Sequence, residues 1–204
     1  MIGMKEGITF QSDIVMSKSL NSSSSFAFVS KVKDYLQLIK FTLSFTVVFS
    51  CVICYLLAPN IVEIDLKMVL LLFIAGLLIT GSANAINQAT EKDTDALMKR
   101  TGKRPVAAGR MTTGEAYTFA FIAGVVGVWM MYQFFNLPAA LLSLFSLFLY
   151  AYIYTPLKKV SSIAVLVGGL PGALPCLIGW VAATNVISPF AIVEGTTISS
   201  TSSK

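Results

Sequence analysis

The chain has 204 residues, of which 55% are hydrophobic and only 12% charged, and its mean hydropathy is +0.77. An ordinary soluble domain carries about 25% charged residues, so this balance excludes one. The formal net charge is +5 with no histidine anywhere, which excludes histidine acid–base catalysis, haem ligation by histidine and a His-based zinc site.

The first 30 residues are polar and rich in serine, as in SLNSSSSFAF. They lack the basic start, apolar core and small-residue cleavage site of a secretory signal, so residues 1–30 read as a mobile tail. Next, KVKDYLQLIK places Val32, Tyr35, Leu36 and Ile39 at helical spacing with lysines on the other side. That pattern predicts a short amphipathic helix lying on the membrane surface.

Five apolar runs follow, over about 41–58, 68–88, 116–135, 137–154 and 162–183, each near the ~20 residues a helix needs to cross a bilayer. The expected class is an all-α polytopic transmembrane helix bundle within a domain over 31–188, followed by a Ser/Thr-rich disordered tail over 189–204. Gly76, Gly81, Ser82, Ala83, Gly124, Gly127, Gly168, Gly169 and Gly172 supply the small residues that let helices approach closely in lipid. Pro171 and Pro175 predict a kink in the last run. Cys51, Cys54 and Cys176 all fall inside apolar runs, and packing explains them better than metal or redox chemistry.

Basic residues in successive segments between runs number 5, 1, 6, 0, 2 and 1, so 13 of 15 collect on one side. By the positive-inside rule the N-terminus and loop 89–115 are cytoplasmic. Within that loop, NQATEKDTDALMKRTGKRPVAAGR holds nine of the 25 charged residues. If the second run continues as a helix, Asn87, Glu91 and Asp95 form one stripe at i, i+4 and i+8, joined by Asn84. An amide and two carboxylates on one face suit a hard cation such as Mg²⁺, which takes one or two carboxylates together with substrate phosphates. Asp93 points elsewhere and is a weaker ligand. Lys99, Arg100, Lys103, Arg104 and Arg110 follow; their charge suits phosphate oxygens, Arg by its planar fork, and Pro105 and Gly109 turn the loop back. From spacing alone, a second reading stays open: the basic residues anchor topology and the acids merely pair with them.

At these residues the chain resembles the UbiA superfamily of intramembrane prenyltransferases, and within it the members that farnesylate haem. The superfamily's first acidic motif has the form NxxxDxxxD, and Asn87, Glu91 and Asp95 match it with Glu in the middle position. The continuation DALMKRTGKRPVAAGRMT and the block YTPLKKVSSIAVLVGGLPGALPCLIGW, over Tyr154–Trp180, resemble the same members, and the likeness runs from about Lys33 to Ser188. The resemblance implies a nine-span bundle around a cavity, of which five spans are present. It further implies farnesyl diphosphate held on Mg²⁺, haem b as acceptor, a place in the bacterial inner membrane and no nucleic-acid partner. Asn87, Glu91, Asp95 and Asp93 would hold the metal. Arg100 and Arg104 would act on the leaving group, and Lys99, Lys103, Arg110, Lys158 and Lys159 would bind phosphate. No second acidic motif follows, so the chain is expected to be a truncated member. Two rival expectations are a quinone-ring prenyltransferase and a scaffold whose basic loop binds anionic lipid.

Overall fold

The computed structural model describes residues 29–61, 63–154 and 164–185, with side-chain surroundings over 29–61, 63–151 and 173–185. Among them every regular element is helical: α1 (Val29–Leu38), α2 (Phe41–Leu56), α3 (Leu66–Thr90), α4 (Lys92–Leu97), α5 (Thr113–Phe134), α6 (Leu137–Phe148) and α7 (Ala164–Thr184). A π-helical turn over Leu149–Tyr154 extends α6. The tails expected over 1–30 and 189–204, apart from Val29 and Ser30, lie outside the described residues, as do Lys158 and Lys159.

The helix starts follow side-chain capping. Asp65 accepts from the Lys67 amide at 2.9 Å at the head of α3, and Thr112 accepts from the Glu115 amide at 3.1 Å at the head of α5; each satisfies a donor the first turn leaves unpaired. Asn136 does this for α6 through Ala139 at 2.8 Å. The same amide donates to Val181 O at 2.8 Å and Ala182 O at 3.2 Å, tying the start of α6 to α7.

Helix α3 packs most extensively on α5, and α2 on α7, while α6 contacts both pairs. Glycine permits this closeness. A Cβ at Gly127 would sit 2.8 Å from Ile79 Cγ1, and one at Gly124 2.9 Å from Ser82 Oγ. At Gly179 it would collide with the Cys51 carbonyl on α2. The expected role of small residues holds at Gly76, Gly81, Gly124 and Gly127; the surroundings of Gly168, Gly169 and Gly172 lie outside the described side chains. All three cysteines are free thiols, in keeping with packing.

Helices α3 and α5 are each long and apolar enough to cross a membrane. Helices α1 and α2, bent by 54° at their junction, meet that test only as one broken span. Phe41, Phe45, Phe49, Phe121, Trp129 and Phe145 point outward, as side chains facing lipid do.

Helix α1 buries a different pair of residues from those its apolar spacing picks out. Val32 and Leu36, assigned to its apolar face, are 43% and 44% exposed, whereas Asp34 and Leu38 are buried. The reason is tertiary. Leu38 enters a cluster with Ala85, Ala89, Val106, Met111, Ala116 and Ala120, and Arg110 from the loop covers Asp34. The helix is docked on the loop through Asp34 and Leu38 and leaves Val32 and Leu36 facing outward.

Candidate functional site

The site grows from the last turns of α3, where ANAINQAT puts three amides into an otherwise apolar helix. Asn84, Asn87 and Gln88 are all buried, and a buried amide without partners costs several kcal/mol, on the order of 2–7. Gln88 Nε2 donates to Gln37 O at 3.0 Å and Leu38 O at 2.8 Å. Asn84 Nδ2 donates to Ile39 O and Ser44 Oγ, both at 3.1 Å. These carbonyls lie where α1 stops, and of the three Gln37 O also accepts from the Lys40 amide at 3.2 Å. Lys40, at φ 48° and ψ 58°, turns the chain through the left-handed region into α2.

The acidic stripe survives a break in its helix. Helix α3 ends at Thr90, and Glu91, at φ −96° and ψ 10°, joins it to α4. The Glu91 amide still donates to Asn87 O at 2.9 Å and the Asp95 amide to Glu91 O at 2.8 Å, so the i, i+4 register carries through. Asn87, Glu91 and Asp95 are 2%, 5% and 4% exposed; Asp93 is exposed, on the other side. The stripe thus forms as its spacing predicts, with Asp93 apart from it.

The basic loop is built and not merely charged. Arg104 Nη1 pairs with Asp95 Oδ2 at 2.5 Å, and Thr101 Oγ1 donates to Asp95 O at 3.1 Å. Pro105 turns the chain by accepting from the Arg110 and Met111 amides at 2.9 and 3.1 Å, and Gly109 takes φ 72°, where a side chain would be strained. Val106 and Met111 are buried against Leu38 and α3. Arg110 Nε donates to Asp34 Oδ1 at 2.8 Å, and its Nη2 to Gln37 Oε1 at 2.9 Å and Lys103 O at 3.1 Å. Arg110 therefore ties the loop to α1, a different use from the phosphate contact its charge suggests. Lys31 Nζ and Tyr35 Oη reach Glu115 Oε1 at 3.1 and 3.0 Å, a second tie between α1 and the head of α5. Lys99, Arg100 and Lys103 are exposed.

Asn87, Glu91 and Asp95 are buried in one helical register, and Arg104 pairs with Asp95 at its end. The structure also adds a residue that the spacing did not point to: Lys40 Nζ lies 3.4 Å from Asn87 Oδ1. Lys40 had counted only toward topology; its place at the end of KVKDYLQLIK, next to a break, was the available signal. Asp34 and Gln88 were missed too, each a polar residue on a face that ought to be apolar. No group of three His, Cys, Asp or Glu residues lies together among the described residues. The two carboxylates and the amide nevertheless form an all-oxygen donor set. Next to them the buried Asn84 Oδ1 and Gln88 Oε1 have no hydrogen-bond partner. Such a set fits Mg²⁺, which completes its shell with water and phosphate.

Residues 47–201 match the UbiA prenyltransferase family, and the chain belongs to that family. It is an integral membrane protein. It is 42% identical over 164 residues to the protoheme IX farnesyltransferase of Flavobacterium psychrophilum, covering 80% of this chain and 53% of that one. The chain spans about half the length of such relatives. The structure of digeranylgeranylglyceryl phosphate synthase in membranes superposes with a TM-score of 0.68 at 26% identity, covering 75% of this chain and 53% of that one. A UbiA homolog from Archaeoglobus fulgidus bound to GPP and Mg2+ shares the fold, with a TM-score of 0.65 at 14% identity, covering 78% of this chain and 57% of that one.

Proposed function

We propose that this chain carries the first acidic half of the diphosphate site of a Mg²⁺-dependent protohaem IX farnesyltransferase. The complete protein would convert haem b to haem O in a bacterial inner membrane, with the loop on the cytoplasmic side. The observation that carries the reading is the buried Asn87–Glu91–Asp95 stripe with Arg104 seated on its last carboxylate. The 42% identity to protoheme IX farnesyltransferases directs it to haem as acceptor.

Asn87, Glu91 and Asp95 would hold Mg²⁺, and the ion, when bound, would offset the charge that develops on the leaving diphosphate. Arg104 is a guanidinium on the metal-binding carboxylate, placed to share phosphate oxygens with it. Lys99, Arg100 and Lys103 line the turn beyond and raise the local potential for an anionic substrate; Lys158 and Lys159 are proposed to add to it. Asp93, exposed, is assigned no direct contact. Arg110 holds the loop by its tie to Asp34. In the reaction the farnesyl C1–O bond breaks, its electron pair leaving with diphosphate. A haem vinyl carbon forms the new C–C bond, water adds to the cation left on its neighbour to supply the hydroxyl, and the proton it sheds passes to the released diphosphate or to solvent. No histidine base is required.

A chimaera tests this reading. Residues 33–185 replace the matching half of the F. psychrophilum relative, and membranes receive haem b, farnesyl diphosphate and Mg²⁺. The expected product is haem O, identified by mass, and it disappears in the double variant Glu91→Gln, Asp95→Asn. Haem O formation that survives the double variant overturns the metal assignment. A chimaera that farnesylates an aromatic quinone precursor but not haem overturns the acceptor.

A further inference from the structure

The junction of α1 and α2 is assembled by side chains from a third helix. Where Lys40 turns left-handed, the Leu38 and Ile39 carbonyls lose helical donors and Gln37 O keeps only an i+3 bond from the Lys40 amide at 3.2 Å; helix ends leave such acceptors short of partners. Gln88 takes those of Gln37 and Leu38, and Asn84 that of Ile39. Ser44 Oγ adds a bond to Ile39 O at 2.7 Å. One turn earlier on the same face, Gly81 lets Ile39 close in, since a Cβ there would meet Ile39 Cγ2 at 3.0 Å. Gly81, Asn84 and Gln88 thus make one face of α3 shaped to the break.

What the break delivers is Lys40. A lysine on a helix running straight from α1 into α2 would be carried on a different face; the 54° bend brings its ammonium to Asn87 Oδ1 at 3.4 Å. Arg104 occupies the far end of the same stripe, on Asp95, so two cations from two distant segments bracket Glu91. We propose that Lys40 is a phosphate contact of this site and that Asn84 and Gln88 are positioning residues that place it. The inference rests on the diphosphate reading of the stripe and deepens it.

The test uses the full chain in nanodiscs with inorganic pyrophosphate as the probe, titrated calorimetrically in Mn²⁺, which also allows metal binding to be followed by its own paramagnetic signal. Lys40→Gln, which leaves every bond of the break in place, is expected to weaken pyrophosphate binding about 10-fold, as loss of one charge-assisted contact does, with Lys40→Arg restoring most of it. Gln88→Met keeps the volume and removes both donors; it is expected to cost about 5-fold, and under 2-fold when Lys40 is already Gln, because coupled residues are not additive. Mn²⁺ affinity without pyrophosphate does not fall in either. A purely structural Gln88 would show the same loss in either background, and that result, or wild-type binding by Lys40→Gln, overturns the proposal. Glu91→Gln with Asp95→Asn separates the two layers: unaltered Mn²⁺ binding in that variant defeats the diphosphate reading itself. Loss there, with Lys40→Gln unaffected, defeats only the role of Lys40.

Discussion

The two halves of α3 are held in the bundle by different physics. From Leu72 to Ser82 its partners meet it by shape: Gly124 and Gly127 of α5 accept Ser82 and Ile79, and Gly76 accepts Val48 of α2. From Ala83 to Thr90 the same helix is held by directed bonds from Asn84 and Gln88 to α1 and α2. In lipid the hydrophobic effect does not drive helix association, so close packing and hydrogen bonds are the available means. The apolar half tolerates any side chain of the right size. The polar half fixes individual atoms, which close packing alone does not. Ser82 stands at the border and belongs to both, since its hydroxyl donates to Ala120 O at 2.6 Å while filling the space opposite Gly124.

The comparison is broken most severely where shape alone is at stake. Gly179→Val drives a side chain into the Cys51 backbone of α2; overpacking that cannot relax is expected to cost about 3 kcal/mol or more, seen as loss of a monodisperse protein after detergent extraction. Gly124→Ala is milder, about 1–2 kcal/mol, because a serine side chain opposes it. Ser82→Ala loses one buried hydrogen bond, about 1 kcal/mol, and in combination with Gly124→Ala is expected to cost less than the sum. Unfolding titrations in mixed micelles check this, and strict additivity would show that the two do not share the space. The smallest effect is expected at the polar end. Asp34→Ala frees Arg110 and loosens the loop, at roughly 0.5 kcal/mol for a partly exposed pair. The measurement is faster proteolysis after Lys99, Arg100 and Lys103, with cleavage elsewhere unchanged.

How much of this the sequence discloses follows the same division. The apolar runs expected over 41–58, 68–88 and 116–135 coincide with Phe41–Leu56, Leu66–Thr90 and Thr113–Phe134 within three residues at either end, because length and hydropathy are local properties. The run over 137–154 resolves into α6 and a π-helical turn, which no periodicity announced. The Asn87–Glu91–Asp95 stripe was legible because 3.6-residue spacing survives the interruption at Glu91. The arrangement around it was not. Arg110 meets Asp34 across 76 positions and Asn84 meets Ile39 across 45, and nothing in either segment alone names its partner. Helix α1 shows the same limit: Asp34 and Leu38 turn toward an ion pair and a cluster supplied by the loop, which its own apolar pattern does not name.

The central claim is that the Asn87–Glu91–Asp95 stripe is a divalent-metal site for a prenyl diphosphate. Equilibrium binding of radiolabelled farnesyl diphosphate to the full chain in nanodiscs, with Mg²⁺ and then with EDTA, tests it most directly. Binding is expected to be abolished by EDTA and weakened about 100-fold by Glu91→Gln with Asp95→Asn, on the scale of losing charged partners of a ligand. Binding of equal strength in EDTA, or in the double variant, would contradict the claim.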